Sequence, residues 1–216
     1  MKLTHLGKVC CVLWPCTVFS QPFENCPSQA FLMQDAKAQL YGIDLVSAKP
    51  TVLAATLTFA TEANNESVNA IGFNYKDQYL YGFSRQAPKS VVQIDSNYQM
   101  ARLNITGLPD TNFYVGDIQV TGDAANQRAS YYVYTPRFGL YEIDLNSDLT
   151  AEINAQLLPN SANWNLGIYD FAFHPHSNLL YAVESNGDLH EINVANNTSK
   201  FITQLDIGDD TGAFGA

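Results

Sequence analysis

The sequence predicts an all-β fold, a β-propeller of four-stranded antiparallel blades, and three observations carry that prediction. The first is a beat of about 50 residues. Leu40-Tyr41-Gly42-Ile43-Asp44-Leu45 is echoed by Val92-Gln93-Ile94-Asp95, by Leu140-Tyr141-Glu142-Ile143-Asp144-Leu145 and by Leu189-His190-Glu191-Ile192-Asn193-Val194. The isoleucines fall at 43, 94, 143 and 192, so the intervals are 51, 49 and 49 residues, the period of a propeller blade. The second is that every unit breaks into short alternating apolar segments bounded by turn residues, with no amphipathic helix of any length. The third is composition: 12 Tyr, 12 Phe and 46% hydrophobic residues suit packed, pleated surfaces.

The elements follow in order within each unit. A small-residue strand comes first, at 70–74, 117–120 and 170–174, where Gly72, Gly116 and Ala172 suit the crowded innermost position near the axis. An aromatic strand follows at 79–83, 131–134 and 179–183, with 30–33 in the same place in the first unit. The Ile-Asp strand is third, and Asn186-Gly187-Asp188 reads as a tight hairpin leading into its last copy. A more polar outer strand closes each unit, at 51–57, 98–105, 151–157 and 201–207. The blades are therefore placed at about 26–62, 69–108, 113–158 and 166–208, within a domain of 21–216. The first unit begins at its second strand, and 211–216 has the small-residue character of an innermost strand. Two arrangements fit: a last strand that completes the first blade of a minimal four-bladed ring, or an incomplete piece of a larger ring.

Composition limits function. Lys and Arg number 11 against 21 Asp and Glu, a net charge of −10, which repels phosphate backbones and sets nucleic acid aside as a partner. Residues 1–20 read as a secretory signal peptide. Lys2 and Lys8 precede an apolar run from Val9 to Phe19 that is too short to span a bilayer, and Val18 and Ser20 suit cleavage before Gln21. Export to the periplasm, the cell surface or the extracellular space follows, with no integral membrane segment once the leader is removed. Cleavage would leave Cys26 alone, as a buried thiol or the partner of a cysteine elsewhere.

The runs Cys26-Pro27-Ser28-Gln29-Ala30-Phe31-Leu32, Leu40 to Leu45, Asn69-Ala70-Ile71-Gly72-Phe73-Asn74, Phe113-Tyr114-Val115-Gly116-Asp117 and Asp170-Phe171-Ala172-Phe173-His174-Pro175 together resemble a propeller-like domain of unknown function found in secreted and cell-surface bacterial proteins. Members of that family are longer, with at least one further blade. The resemblance implies an exported surface module and transfers no catalytic residue.

Candidate chemistry is positional. Asn69, Asp117 and Asp170 stand just ahead of the apolar part of three successive innermost strands, and Asp210 precedes the fourth. Oxygen-bearing side chains converging on an axis would suit Ca²⁺, which takes six to eight oxygen ligands, or a sugar or peptide. The structural alternative is that each caps its own turn and locks blade to blade. No motif calls for another cofactor. Asp44, Asp95, Asp144 and Asn193 recur in every unit and read as turn formers, since a single active site needs asymmetry. His174-Pro175-His176 reads as a turn and His190 as a blade-packing residue in the place of Tyr141 and Tyr41. There is no Gly-x-Ser-x-Gly elbow and no His-Glu-x-x-His zinc motif. The functional expectation is a non-catalytic recognition or display module for a protein or glycan. The alternative is an enzyme, or a Ca-dependent glycan site, at the axis with Asp117 and Asp170.

Overall fold

The computed structural model describes residues 20–23, 29–34, 38–59, 67–86, 88–164 and 166–206. They form four antiparallel sheets arranged as a four-bladed β-propeller, with a single 3-10 turn at Ser161–Asn163 as the only helical element among the described residues. The first blade supplies β1 (Gln29–Gln34), β2 (Gln39–Asp44) and β3 (Pro50–Ala54), followed by a short β4 (Thr58–Phe59). The second holds β5 (Val68–Asn74), β6 (Tyr79–Ser84), β7 (Ser90–Ile94) and β8 (Gln99–Arg102), followed by β9 (Ile105–Thr106). The third holds β10 (Val115–Thr121), β11 (Arg128–Thr135), β12 (Gly139–Asp144) and an outer strand broken into β13 (Ile153–Asn154) and β14 (Gln156–Leu157). The fourth holds β15 (Ile168–Phe173), β16 (Leu180–Glu184), β17 (Asp188–Asn193) and β18 (Thr198–Gln204). Cys26, Asp210 and the strand read at 211–216 lie outside the described residues, as does most of the segment read as a signal peptide.

The hydrophobic core is divided among the spaces between blades. One cluster, with Leu40, Leu57, Leu80, Val92, Ile94 and Met100, joins blades one and two. A second, with Tyr81, Phe83, Phe113, Tyr131 and Ile143, joins two and three. A third, with Tyr132, Tyr134, Leu140, Phe171, Leu180 and Ile192, joins three and four. Side chains alternate along a strand, so each central strand feeds two clusters: Leu80 faces blade one and Tyr81 faces blade three. In blades two to four the repeated isoleucine points toward the preceding blade. Ile94, Ile143 and Ile192 are fully buried there, whereas Ile43, whose face meets no preceding blade among the described residues, is half-buried.

Two details explain the small residues of the innermost strands. A Cβ on Gly116 would come within 2.9 Å of the Ala70 backbone oxygen, and one on Gly72 within 3.0 Å of the Ile118 nitrogen. Neighbouring innermost strands thus pack backbone against backbone.

The outer strands depart from the sequence reading. The run 51–57 is not one strand: β3 ends at Ala54, and the chain then leaves its blade so that β4 pairs in parallel with β8 of the next. Likewise the run 98–105 divides, and β9 pairs in parallel with β13. Each of these tails stitches one blade to its successor. The turn residues behave as read. Asp44 Oδ1 accepts from the Val46 and Ser47 N–H groups at 3.0 and 2.7 Å, and Asp95 Oδ1 from Asn97 and Gln99 at 3.0 and 2.9 Å. Asp144 Oδ1 accepts from Asn146 at 2.9 Å and Asn193 Oδ1 from Ala195 at 3.0 Å.

Candidate functional site

In an up-and-down blade, first strands begin, second strands end and third strands begin on one rim of the propeller. The sequence-predicted residues lie toward that rim, but not all at one level. Asn69 pairs with Phe83 and Asp170 with Val183, equivalent places beside a bulge in each strand. Asp117 pairs with Tyr132, two positions further along, in the place of Gly72 and Ala172. The difference is one of register: a polar residue ahead of an apolar run does not fix which partner it faces across the sheet.

Asp117 is held between blades three and four. Its Oδ2 accepts a 2.8 Å hydrogen bond from the Phe173 N–H of β15. Burial pushes its carboxyl up to about 6, with the Asp170 charge adding to the push and backbone N–H groups of Phe173 and Ile118 opposing it. Asp170 Oδ1 accepts from its neighbour's N–H, Phe171, at 2.9 Å. Below them Tyr131 is fully buried, and its hydroxyl donates to Ala70 O of blade two. With its amide turned so that both ends are satisfied, Asn69 donates to Val68 O at 2.9 Å and accepts from Arg85 Nη1 at 3.3 Å. The structure brings Asp117 and Asp170 into electrostatic contact, and gives Asn69 a local role.

The same rim presents aromatic rings to solvent. Tyr114, just ahead of β10, is 53% exposed, Tyr169 in β15 is 46% exposed, and Phe138 in the β11–β12 turn is 41% exposed. The Arg85 guanidinium lies 5.0 Å from the Tyr114 ring centroid, a stacking arrangement that holds the ring in place. No motif marks these three residues in the sequence. They become visible only when topology assigns them to one end of the blades.

A third group sits at the tip of the β16–β17 hairpin. Ligand atoms of Glu184, Asp188 and His190 all lie within 4.8 Å of one another, and His190 Nε2 is 2.8 Å from Glu184 Oε1. His190 is buried against the Phe201 ring, so it packs as its place in the repeat suggests, and it also joins two carboxylates that the sequence reading left out. The His174-Pro175-His176 segment is a turn: His174 Nδ1 accepts from the His176 and Ser177 N–H groups at 3.3 and 3.1 Å.

These features define a repeat-built β-propeller module with a decorated rim. The chain belongs to the family described as a repeat of unknown function (DUF6923), whose model matches residues 31–216. No curated protein is significantly similar to it. Among solved structures it is similar to a structural genomics protein of unknown function from Bacteroides thetaiotaomicron, with 10% identity, a TM-score of 0.48, and coverage of 81% of this chain and 40% of that one. It is also similar to apo AztD from Citrobacter koseri, with 16% identity, a TM-score of 0.43, and coverage of 82% and 44%. The chain spans about two fifths of the length of each of these.

Proposed function

We propose that the chain is an exported, non-catalytic recognition module that binds a glycan or protein partner at the rim where its innermost strands begin. The observation that carries this reading is the placement of Tyr114, Phe138 and Tyr169 there, with rings exposed. Large rings on a rigid scaffold give contact area with little ordering cost, which favours recognition. Arg85 and Asp170 beside them supply polar partners. Among the described residues no helix is long and apolar enough to cross a membrane. Screening the purified chain on glycan arrays, and against proteins of the same cell surface, tests the proposal. Tyr114→Ala and Tyr169→Ala should each weaken a captured ligand at least tenfold while leaving the melting temperature unchanged. Binding that ignores both substitutions sinks the reading.

A second reading rests on Asp117 and Asp170. A carboxyl raised to about 6 is poised near working pH, as an acid–base group or ligand site would need. Its Phe173 bond favours a blade lock instead. Melts of Asp170→Asn with and without Ca²⁺ separate the two, because only an axial site loses a Ca²⁺-dependent shift.

A further inference from the structure

The 50-residue repeat makes one blade a control for another. Ala182 pairs with His190 across β16 and β17, and alternation then puts Glu184, Asp188 and His190 on one face of the sheet, the face that packs on blade three. The same three places hold Thr135, Gly139 and Tyr141 in blade three and Ser84, Ser90 and Val92 in blade two. Only blade four fills all three with side chains that bind metal ions. Features that recur in every blade serve the fold, whereas a departure confined to one blade asks for a local explanation.

His190 supplies a second, independent observation. It is 9% exposed, and its Nε2 has no hydrogen-bond partner. Glu184 Oε1 lies 2.8 Å away, so the imidazole edge and the carboxylate meet at a distance that an ion pair or a shared ligand would use. The carboxylates are themselves held. Glu184 Oε2 accepts from the Gly167 N–H at 2.6 Å, and Asp188 Oδ2 from Asn186 Nδ2 at 2.9 Å. Gly187, at φ +86°, closes the hairpin turn by donating its N–H to Glu184 O at 2.9 Å. Glu184 thus turns Oε1 toward His190 while Oε2 is anchored, the supporting arrangement metal ligands commonly have.

We infer that Glu184, Asp188 and His190 form a mononuclear site for a first-row divalent cation, with Zn²⁺ the best match. One imidazole and two carboxylates suit Zn²⁺, whereas Ca²⁺ prefers an all-oxygen shell. Ligand distances of about 2.0–2.2 Å place ligand atoms of a tetrahedral site about 3.3 Å apart, within the present span of the cluster. Three protein ligands leave a fourth position, and the half-buried carboxylates leave it reachable from the rim.

The test strips the full chain with EDTA, titrates Zn²⁺ against a chromogenic chelator of known affinity, and records melts with and without the ion. One equivalent should bind per chain with micromolar or tighter affinity, raising the melting temperature by about 5 °C or more at a hundredfold excess over Kd. Asp188→Asn and His190→Tyr, the latter restoring the residue of blades one and three, should each weaken binding at least tenfold. A double His174→Gln and His176→Gln variant should bind as the parent does. Cobalt(II) provides a readout independent of stability, since its tetrahedral visible absorption should appear in the parent and vanish in Asp188→Asn. The inference is overturned if Zn²⁺ does not saturate, if Asp188→Asn binds undiminished, if the His174 and His176 variant loses the ion, or if Ca²⁺ binds more tightly than Zn²⁺. Should His190→Tyr fail to fold, Asp188→Asn at the hairpin tip decides alone.

Discussion

Burial and a neighbouring charge together change the chemistry of Asp117. Its carboxyl sits at about 6 because burial disfavours the anion and Asp170 adds repulsion. An unfolded aspartate titrates near 3.9, so between about pH 4 and pH 6 folding takes up a proton at this site. Its contribution is therefore complete at about pH 4 and is lost as the pH rises through 6. Asp117→Asn cannot ionise and keeps an acceptor for the Phe173 N–H. It should gain on the order of 2–3 kcal/mol over the parent at pH 7.5 and next to nothing at pH 4, measured as urea midpoints. Asp44 and Asp148, held below the usual range by hydrogen bonds from Ser47 and Thr150 respectively, act in the opposite sense in both proteins and cancel from the difference. An equal difference at the two pH values would remove Asp117 as its cause.

At the scale of elements, the parallel pairings of β4 with β8 and β9 with β13 divide strands that look continuous in sequence. Parallel and antiparallel partners make the same demand on a short apolar run, so nothing local reveals that residues 58–59 belong to the neighbouring blade's edge. Leu57 is the hinge of the first crossing. It is fully buried, its N–H donates to Ala38 O at 3.2 Å, and it packs with Leu40, Leu80 and Met100 between blades one and two. Leu57→Ala should cost about 2–5 kcal/mol, read as a lowered urea midpoint. A loss under about 1 kcal/mol would mean the crossing contributes little to blade cohesion. The hairpins behave differently. Asn186-Gly187 and the Asp residues of the turns are legible because their side chains or φ angles decide the local geometry unaided.

For the molecule as a whole, residues 20–23 lie across blade two: Phe23 N–H donates to Gln78 O at 2.8 Å and the Ser96 N–H to Gln21 O at 2.9 Å. The Gln21 nitrogen is 3.3 Å from Asp95 Oδ2, so cleavage before Gln21 would set a new ammonium group on a carboxylate. Intact-mass measurement of the chain expressed with residues 1–20 in place should find its first residue at Gln21, and a start at any other residue overturns that placement. The repeat, the first three strands of each unit and the turn-forming Asp residues were readable from the sequence, because period and residue type act within a few positions of themselves. The register of β10 set Asp117 two positions further along its strand than Asn69 and Asp170, and no residue type announces that offset. The exposed rings at 114, 138 and 169, and the meeting of Glu184 and Asp188 with His190, likewise arose only in three dimensions. Sequence alone determined that four similar sheets would form. Which side chains meet was decided by register and by the packing of one sheet on the next, since these are set by contacts between residues far apart in the chain.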